Sequence, residues 1–164
     1  MALNEKHFVR VAVSGMARDA RENPVVLLKS SEGEEVLPIW IGHAEGLAIE
    51  LTMKGEKFER PLTHDLLKTA IEGLGAVLSK VAITELRNNT FFAKLYLQRD
   101  QELIVVDARP SDSVALALKC DAPIFVARDV FASHKRSLDQ GSAPGIDADD
   151  ELRRYLKDLD PGDF

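Results

Sequence analysis

Hydrophobic and polar residues alternate along several segments of the chain in the pattern typical of β-strands. The clearest segment is residues 8–16 (FVRVAVSGM), which fits a strand with one buried face. Polar turn sequences, SEGE at residues 31–34 and the Asn88-Asn89 pair, separate neighbouring segments and predict hairpins. The predicted strands cover residues 8–16, 25–29, 36–41, 80–87, 90–98, 102–107 and 121–131.

Three other segments carry apolar residues at the spacing of a helix with one apolar face. The first is residues 43–54, which Gly55 ends. Thr63 and Ser111 are good N-caps and open the second and third predicted helices. The apolar residues that we expect the second helix to bury are Leu66, Leu67, Ala70, Ile71 and Leu74.

The order strand–strand–strand–helix occurs twice in this pattern. Residues 11–16 (VAVSGM) match residues 81–86 (VAITEL), and further along the two copies Glu45 corresponds to Asp112. The first and third helices have their apolar residues at corresponding positions, so we expect them to bury corresponding faces. The sequence therefore predicts a compact single domain of the α+β class, built from two diverged β-β-β-α units joined by the Thr63 helix.

We assign residues 1–132 to this domain and residues 133–164 to an acidic linker with a short C-terminal amphipathic helix. Residues 137–164 contain eight acidic and three basic residues, so this segment carries −5 of the net charge of −6. The remainder is close to neutral, which leaves room for a local basic patch. A helix this short is unstable alone, so we expect it to dock on the body or on another subunit.

The single cysteine, Cys120, excludes an internal disulfide and suits a reducing compartment. The first ten residues carry charges and no apolar run, so we expect no signal peptide. No apolar run approaches the roughly 18 residues of a membrane span. We therefore expect a cytoplasmic soluble protein with no membrane partner.

Two carboxylates and a guanidinium lie close together where the strand at residues 102–107 gives way to the third helix. Asp107 ends the strand, Asp112 lies in the first helical turn, and Arg109 stands between them. Carboxylate oxygens suit Mg²⁺ or Mn²⁺, and an arginine can stabilise the charge that develops during phosphodiester hydrolysis. The alternative is structural: Asp112 complements the helix dipole and Arg109 ties down the turn through Asp107.

The segment RPLTHD at residues 60–65 repeats this arrangement of arginine, proline and helix cap. His64 is a candidate general base or metal ligand, and Arg60 a candidate phosphate contact beside a helix N-terminus. Ordinary capping explains Asp65 equally well. Glu45 is a further candidate ligand as the counterpart of Asp112, although a solvated helix face also accounts for it.

Three blocks of the sequence resemble a known family. They are LPIWIGHAEGLAIEL (residues 37–51), RPLTHDLL (residues 60–67) and DARPSDSVALAL (residues 107–118), the last followed by APIFV. Together they resemble the hallmark blocks of the bifunctional nuclease domain family over residues 8–130. The resemblance implies a compact α+β domain that cleaves both DNA and RNA and associates with itself, so we expect a homo-oligomer, in particular a dimer.

Two hypotheses follow. In the first, the protein is a metal-assisted nuclease with little sequence preference, and nucleic acid is its substrate. Its residues would be Asp107 and Asp112 as ligands of Mg²⁺ or Mn²⁺, joined by Glu45 or Asp65, with His64 activating water and Arg60 and Arg109 binding phosphate. In the second, it is a non-catalytic ligand-binding or self-assembling module. A nuclease should gather the carboxylates around an open cleft, whereas a binding module should tie them up in salt bridges.

Overall fold

A computed structural model of the protein describes residues 5–137, which form one mixed sheet with helices. The strands are β1 (Phe8–Arg18), β2 (Pro24–Ser30), β3 (Glu35–Trp40), β4 (Val77–Arg87), β5 (Thr90–Arg99), β6 (Glu102–Ala108), β7 (Ile124–Ala127) and β8 (Arg136–Ser137). The helices are α1 (His43–Met53), α2 (Thr63–Gly73), α3 (Pro110–Cys120) and α4 (Arg128–His134), and a short 3-10 helix, Glu5–His7, precedes β1.

The strand order is β6-β5-β4-β7-β1-β2-β3-β8, so β7 lies between two three-stranded meanders. It pairs antiparallel with β1 and parallel with β4. The two meanders therefore merge into a single sheet, and the predicted α+β single domain is confirmed. Each meander is followed by a helix, α1 or α3; the origin of the two units in an internal duplication stays a prediction.

Helix α3 is the central helix of the fold. Four consecutive residues, Val114 to Ala117, are at most 1% exposed, because α3 contacts the sheet through β4 and β5 and also touches α1 and α2. A helix with neighbours on several sides needs apolar residues on most of its circumference. Its first turn is thereby held at the point where α1 and α2 also begin.

The last predicted strand is too long. Residues 121–131 were expected to be one strand, but β7 covers only Ile124–Ala127 and α4 follows immediately. The apolar run continues across this boundary, because Val130 and Phe131 of α4 also reach the core. A central strand that is buried on both faces has no alternation that would mark its end.

Two helices begin one or two residues earlier than their predicted caps. The N-cap of α2 is Leu62 rather than Thr63, and that of α3 is Arg109 rather than Ser111. Asp65 accepts a hydrogen bond from the Leu62 backbone N–H at 2.9 Å, which stabilises the start of α2. Pro110 occupies the first position of α3, where the missing N–H costs nothing.

The expected buried face of α2 is largely exposed. Leu66 and Leu74 are 59% and 75% exposed, and of the five residues expected inside only Ile71 packs against the main core. His64 of α2 is buried instead. Lys68 Nζ of α2 donates a hydrogen bond to the Lys119 carbonyl of α3 at 3.0 Å. The prediction that this face is buried within the domain is therefore wrong: α2 contacts α3 through His64 and Lys68 and leaves its leucines exposed.

The predicted domain boundary after residue 132 falls inside α4, and β8 then pairs with β3 through Arg136 and Ser137. The folded body thus extends at least to Ser137. The predicted C-terminal helix lies outside the described residues. Within residues 5–137, every helix is too short or too polar to cross a bilayer.

Candidate functional site

Three helices begin at one place on the surface, and four side chains from these starts form a connected polar cluster. Glu45 is the third residue of α1, His64 the second residue of α2, and Asp112 the third residue of α3. Arg109 is the N-cap residue of α3. We refer to Glu45, His64, Arg109 and Asp112 as the polar cluster.

Arg109 joins two carboxylates from different helices. Its Nε donates to Asp112 Oδ2 at 2.7 Å, and its Nη1 donates to Glu45 Oε1 at 2.8 Å. On the other side of Asp112, the Oδ1 atom lies 3.0 Å from His64 Nε2. Both carboxylate oxygens of Asp112 are therefore engaged, one by the guanidinium and one by the imidazole.

The local sequence explains why these side chains meet. Pro110 starts α3, and Arg109 before it is extended (φ −73°, ψ 147°), as the residue before a proline usually is. On α1, the Glu45 carboxylate packs against the Gly42 backbone so closely that a Cβ atom at residue 42 would overlap it. Glycine at position 42 therefore makes room for Glu45.

Burial differs sharply across the polar cluster. The side chain of His64 is 10% exposed, those of Glu45 and Asp112 are 20% and 29% exposed, and that of Arg109 is 65% exposed. The imidazole thus lies at the base of the cluster while the guanidinium reaches solvent. This gradient gives an incoming anion direct access to Arg109.

The contacts within the polar cluster favour the ionised forms of Asp112 and Arg109. Burial disfavours the Asp112 carboxylate, but hydrogen bonds from Arg109 and His64 outweigh this effect and hold the pKa of Asp112 below its usual value. The same contact with Asp112, followed by that with Glu45, raises the pKa of Arg109. The positive ends of the three helix dipoles lie here as well, and they favour bound anions.

Two clefts open beside the polar cluster, and both are lined by Glu45 and Arg109. The first, which we call the helix cleft, has a volume of about 330 Å³ and lies between α1 and α2. The second, which we call the turn cleft, has a volume of about 320 Å³ and lies between the β4–β5 turn and the start of α3. His64 and Asp112 line the helix cleft.

Asp65 is engaged outside the cluster. Its Oδ1 atom lies 2.6 Å from Lys119 Nζ, and its Oδ2 atom accepts from the Leu62 backbone. The hydrogen bond from Lys119 is the main reason that the pKa of Asp65 lies below its usual value. Asp65 thus has the structural role, capping α2 and linking it to α3.

Asp107 and Arg60 also lie apart from the cluster. Asp107 is exposed and stands in register with Lys94 of β5, whereas the neighbouring Ala108 packs against the core that the helices cover. Since successive side chains of a strand leave opposite faces, Asp107 points away from α3. Arg60 is exposed in the segment before α2 and makes none of the hydrogen bonds that connect the cluster.

The structure thus does not bring Asp107 to Asp112 on a shared metal ion. Among residues 5–137 there is no group of three His, Cys, Asp or Glu side chains placed to hold a metal. The Arg109 guanidinium bridges the two carboxylates of the cluster, Glu45 and Asp112, and already supplies the positive charge there.

The sequence patterns pointed to each member of the polar cluster but not to their connection. The hints were the correspondence of Glu45 and Asp112 in the two predicted units and the Arg-Pro pattern that the starts of α2 and α3 share. The contribution of Asn89 in the β4–β5 turn, and of Thr90 and Phe91 at the start of β5, to the turn cleft was missed, because a hairpin carries no signal for what packs against its tip.

The sequence also matches known proteins. Residues 26–139 match the family model of the Bifunctional nuclease domain. An uncharacterized protein of Mycobacterium tuberculosis is 38% identical over 161 residues, which cover 94% of this chain and 96% of that protein.

Two plant relatives carry the family's name. Bifunctional nuclease 1 of Oryza sativa subsp. indica is 27% identical over 69% of this chain and 35% of its own length. Bifunctional nuclease 1 of Arabidopsis thaliana is 27% identical over 77% of this chain and 41% of its own length, so the chain spans less than half of either plant protein. The family model covers more than half of the chain, and we conclude that the chain belongs to the bifunctional nuclease domain family.

Proposed function

We propose that the protein hydrolyses phosphodiester bonds of RNA and DNA at the polar cluster. The observation that carries the proposal is the chain of contacts from His64 through Asp112 to the exposed Arg109, at the start of three helices and beside two open clefts. The names of the plant relatives support the same reaction class.

Arg109 is the phosphate contact in this proposal. Its Nε and Nη1 atoms are used by Asp112 and Glu45, whereas Nη2 donates none of the hydrogen bonds found among residues 5–137. Because the guanidinium is anchored on two sides, it is held in place before substrate arrives. A fixed donor of this kind stabilises the charge that develops on a phosphoryl oxygen without reorganising in the transition state.

His64 is the general base. When Nε2 carries the ring proton and donates a hydrogen bond to Asp112 Oδ1, Nδ1 is the unprotonated nitrogen and can act as the base. Asp112 thereby fixes the tautomer and orientation of the ring, so that Nδ1 can remove a proton from the attacking water. The water oxygen bonds to phosphorus as the bond from phosphorus to the leaving ribose oxygen breaks, and that oxygen takes a proton from solvent. In RNA the ribose 2′-hydroxyl, instead of water, can give the proton to Nδ1.

The Mg²⁺ or Mn²⁺ predicted from the sequence takes no part in this mechanism. The ligands expected for it do not fit a common site, because Asp107 faces away and Arg109 bridges Glu45 and Asp112.

The alternative function is a non-catalytic module that binds an anionic ligand. Its supporting observation is that Glu45, Asp65 and Asp112 are each engaged in a salt bridge with Arg109 or Lys119. Under this alternative, the polar cluster would bind a phosphate or a nucleotide without turning it over.

We also propose that two copies associate through the exposed face of α2 and the start of β4. Leu66, Leu74 and Val77 are 59%, 75% and 56% exposed, and a monomer rarely leaves a large apolar patch in water. Leu66→Glu with Leu74→Glu should convert a dimer to a monomer in sedimentation experiments. A dimer that persists in this variant would overturn the proposal.

A cytoplasmic location, inferred from the lone Cys120, is likewise a proposal.

The test of the proposed reaction is cleavage of labelled single-stranded RNA and DNA by highly purified protein. It is run with Mg²⁺, with Mn²⁺ and with EDTA, beside a His64→Gln variant purified identically and checked for folding by circular dichroism. We expect cleavage that His64→Gln reduces by about 100-fold or more. Activity equal in both proteins would show a contaminant or another site. Binding of the oligonucleotides without cleavage in any condition would favour the non-catalytic module.

A further inference from the structure

The two clefts share a wall. Glu45 and Arg109 line both, so the salt bridge between them, 2.8 Å long, separates a space of about 330 Å³ from one of about 320 Å³. We call this pair the Arg109–Glu45 partition. A group bound at Arg109 would therefore have an open cleft on either side.

The helix cleft offers an apolar surface next to the catalytic imidazole. Its walls include Ala44, Leu47, Ala48 and Leu51 of α1 and Leu62 at the start of α2. Leu47 and Leu62 are 55% and 37% exposed, so these walls are reachable from solvent. A flat aromatic ring gains from such a surface, whereas a phosphate or a sugar does not.

The turn cleft combines a polar edge with an aromatic ring. Asn89 and Thr90 at the tip of the β4–β5 turn are exposed and line it together with Phe91. The Phe91 ring is set edge-to-face against His134 at a centroid distance of 6.0 Å. Amide and hydroxyl groups beside an aromatic ring suit the edge and face of a nucleobase.

The charge of the region indicates that the affinity for nucleic acid comes from the two clefts rather than from phosphate contacts. Arg109 faces two carboxylates, Glu45 and Asp112, and residues 1–136 carry a net charge of only −1. A surface of this kind cannot attract a polyanion by charge alone. Binding of nucleic acid must then come mainly from the groups next to the phosphate.

We propose that the site takes single-stranded nucleic acid, with one phosphodiester at the Arg109–Glu45 partition and the two flanking nucleosides in the helix cleft and the turn cleft. This inference rests on the proposed function and specifies its substrate class. A base that enters a cleft of this size must be unstacked and separated from its complement, which a duplex resists. Single strands present such bases without that cost.

The test measures binding separately from cleavage, by fluorescence anisotropy of the full-length His64→Gln protein. The probes are a short labelled single strand and the blunt duplex of the same sequence. Ala48→Phe fills the helix cleft, Thr90→Trp fills the turn cleft, and Ala132→Phe adds bulk at an exposed position of α4 that lines neither cleft. Circular dichroism and thermal unfolding confirm that each variant is folded.

We expect the single strand to bind at least about tenfold more tightly than the duplex. Ala48→Phe and Thr90→Trp should each weaken single-strand binding about tenfold or more, while Ala132→Phe leaves it unchanged. The affinity should also depend weakly on salt, with a slope of log K against log salt of about −1 or shallower, because one phosphate contact accounts for about −0.7.

Equal affinity for the duplex, or unchanged affinity in both cleft variants, would overturn the inference. If Ala48→Phe does not fold, Thr90→Trp at the exposed turn decides the result alone. The failure of the proposed function is distinct: cleavage would be absent from the parent protein, while loss of single-strand binding in the cleft variants would still support the binding site.

Discussion

The two strand-to-helix junctions, β3 to α1 and β6 to α3, place a carboxylate at the same helical position but differ in what precedes it. Glu45 and Asp112 are each the third residue of their helix. Before α3 stands Arg109, whereas before α1 stands Gly42, whose missing side chain makes room for Glu45. One junction thus supplies a cation that serves both carboxylates, and the other supplies the space. The site depends on this asymmetry.

The largest effect is expected from removing the shared cation. Arg109→Gln takes away the proposed phosphate contact and leaves Glu45 and Asp112 without their common partner. We expect kcat/KM for single-stranded substrates to fall by about 100-fold or more, as for loss of a preorganised transition-state donor. Arg60→Gln, which removes an exposed arginine outside the cluster, should leave kcat/KM within about twofold. Equal losses in the two variants would mean that overall charge matters more than position.

The two carboxylates should differ in importance although their positions correspond. Asp112 contacts both Arg109 and His64, whereas Glu45 contacts only Arg109 within the cluster. Asp112→Asn should therefore lower kcat about 100- to 10,000-fold through the misoriented base, and Glu45→Gln about tenfold. The comparison is made from kcat at saturating substrate. Equal losses would show that neither carboxylate acts through His64.

A smaller effect tests the space at the α1 junction. Gly42→Ala would push the Glu45 carboxylate away from its place beside Arg109, because a Cβ atom at residue 42 overlaps it. We expect a loss of about 1–2 kcal/mol in the free energy of unfolding and a several-fold loss of kcat/KM. The matched control is Gly73→Ala in α2, where a Cβ atom meets nothing within 4 Å and alanine favours the helix. If the two variants have the same free energy of unfolding and the same kcat/KM, the close approach of Glu45 to Gly42 does not matter for function.

The smallest effect concerns pH. The pKa of Asp112 is lowered from 3.8 in the folded protein, where Arg109 and His64 bind the carboxylate. The unfolded chain therefore binds that proton more readily, and the resulting stability is present above about pH 4 and lost as pH falls through the folded pKa. The free energy of unfolding should therefore fall less on acidification below about pH 4 in Asp112→Asn than in the parent protein, by about 1 kcal/mol at most, because solvent screens this partly exposed group. A pH dependence unchanged by Asp112→Asn, measured by urea unfolding, would contradict the ion pair.

Much of the fold was predictable because local patterns and tertiary packing agree. The first six strands and the three long helices follow alternation, helical spacing and turn residues. The extent of β7 was not predictable, since a strand buried on both faces and the helix α4 that follows it share one apolar run. The rotation of α2 was also beyond the sequence, because an amphipathic pattern identifies an apolar face without saying what covers it.

The sequence predicted which residues form the site better than how they are arranged. The Arg-Pro pattern pointed to Arg109 and Asp112, and the helix start to His64. Alternation places Asp107 opposite Ala108, but only the sheet as a whole determines which face the helices cover. The meeting of Glu45 with Arg109 joins residues 64 positions apart, a contact that follows from packing of α1 beside α3.

The most direct test of the central claim compares Asp112→Asn with Asp107→Asn. Both replace an aspartate by its amide at the same strand-to-helix junction, but only Asp112 contacts Arg109 and His64, while Asp107 lies on the other face of the sheet. Cleavage of labelled single-stranded RNA and DNA is measured for both folded variants beside the parent protein. The account predicts that Asp112→Asn loses at least about 100-fold in rate and that Asp107→Asn stays within about twofold of the parent. Loss of activity in Asp107→Asn with full activity in Asp112→Asn would contradict it and move the site to the opposite face.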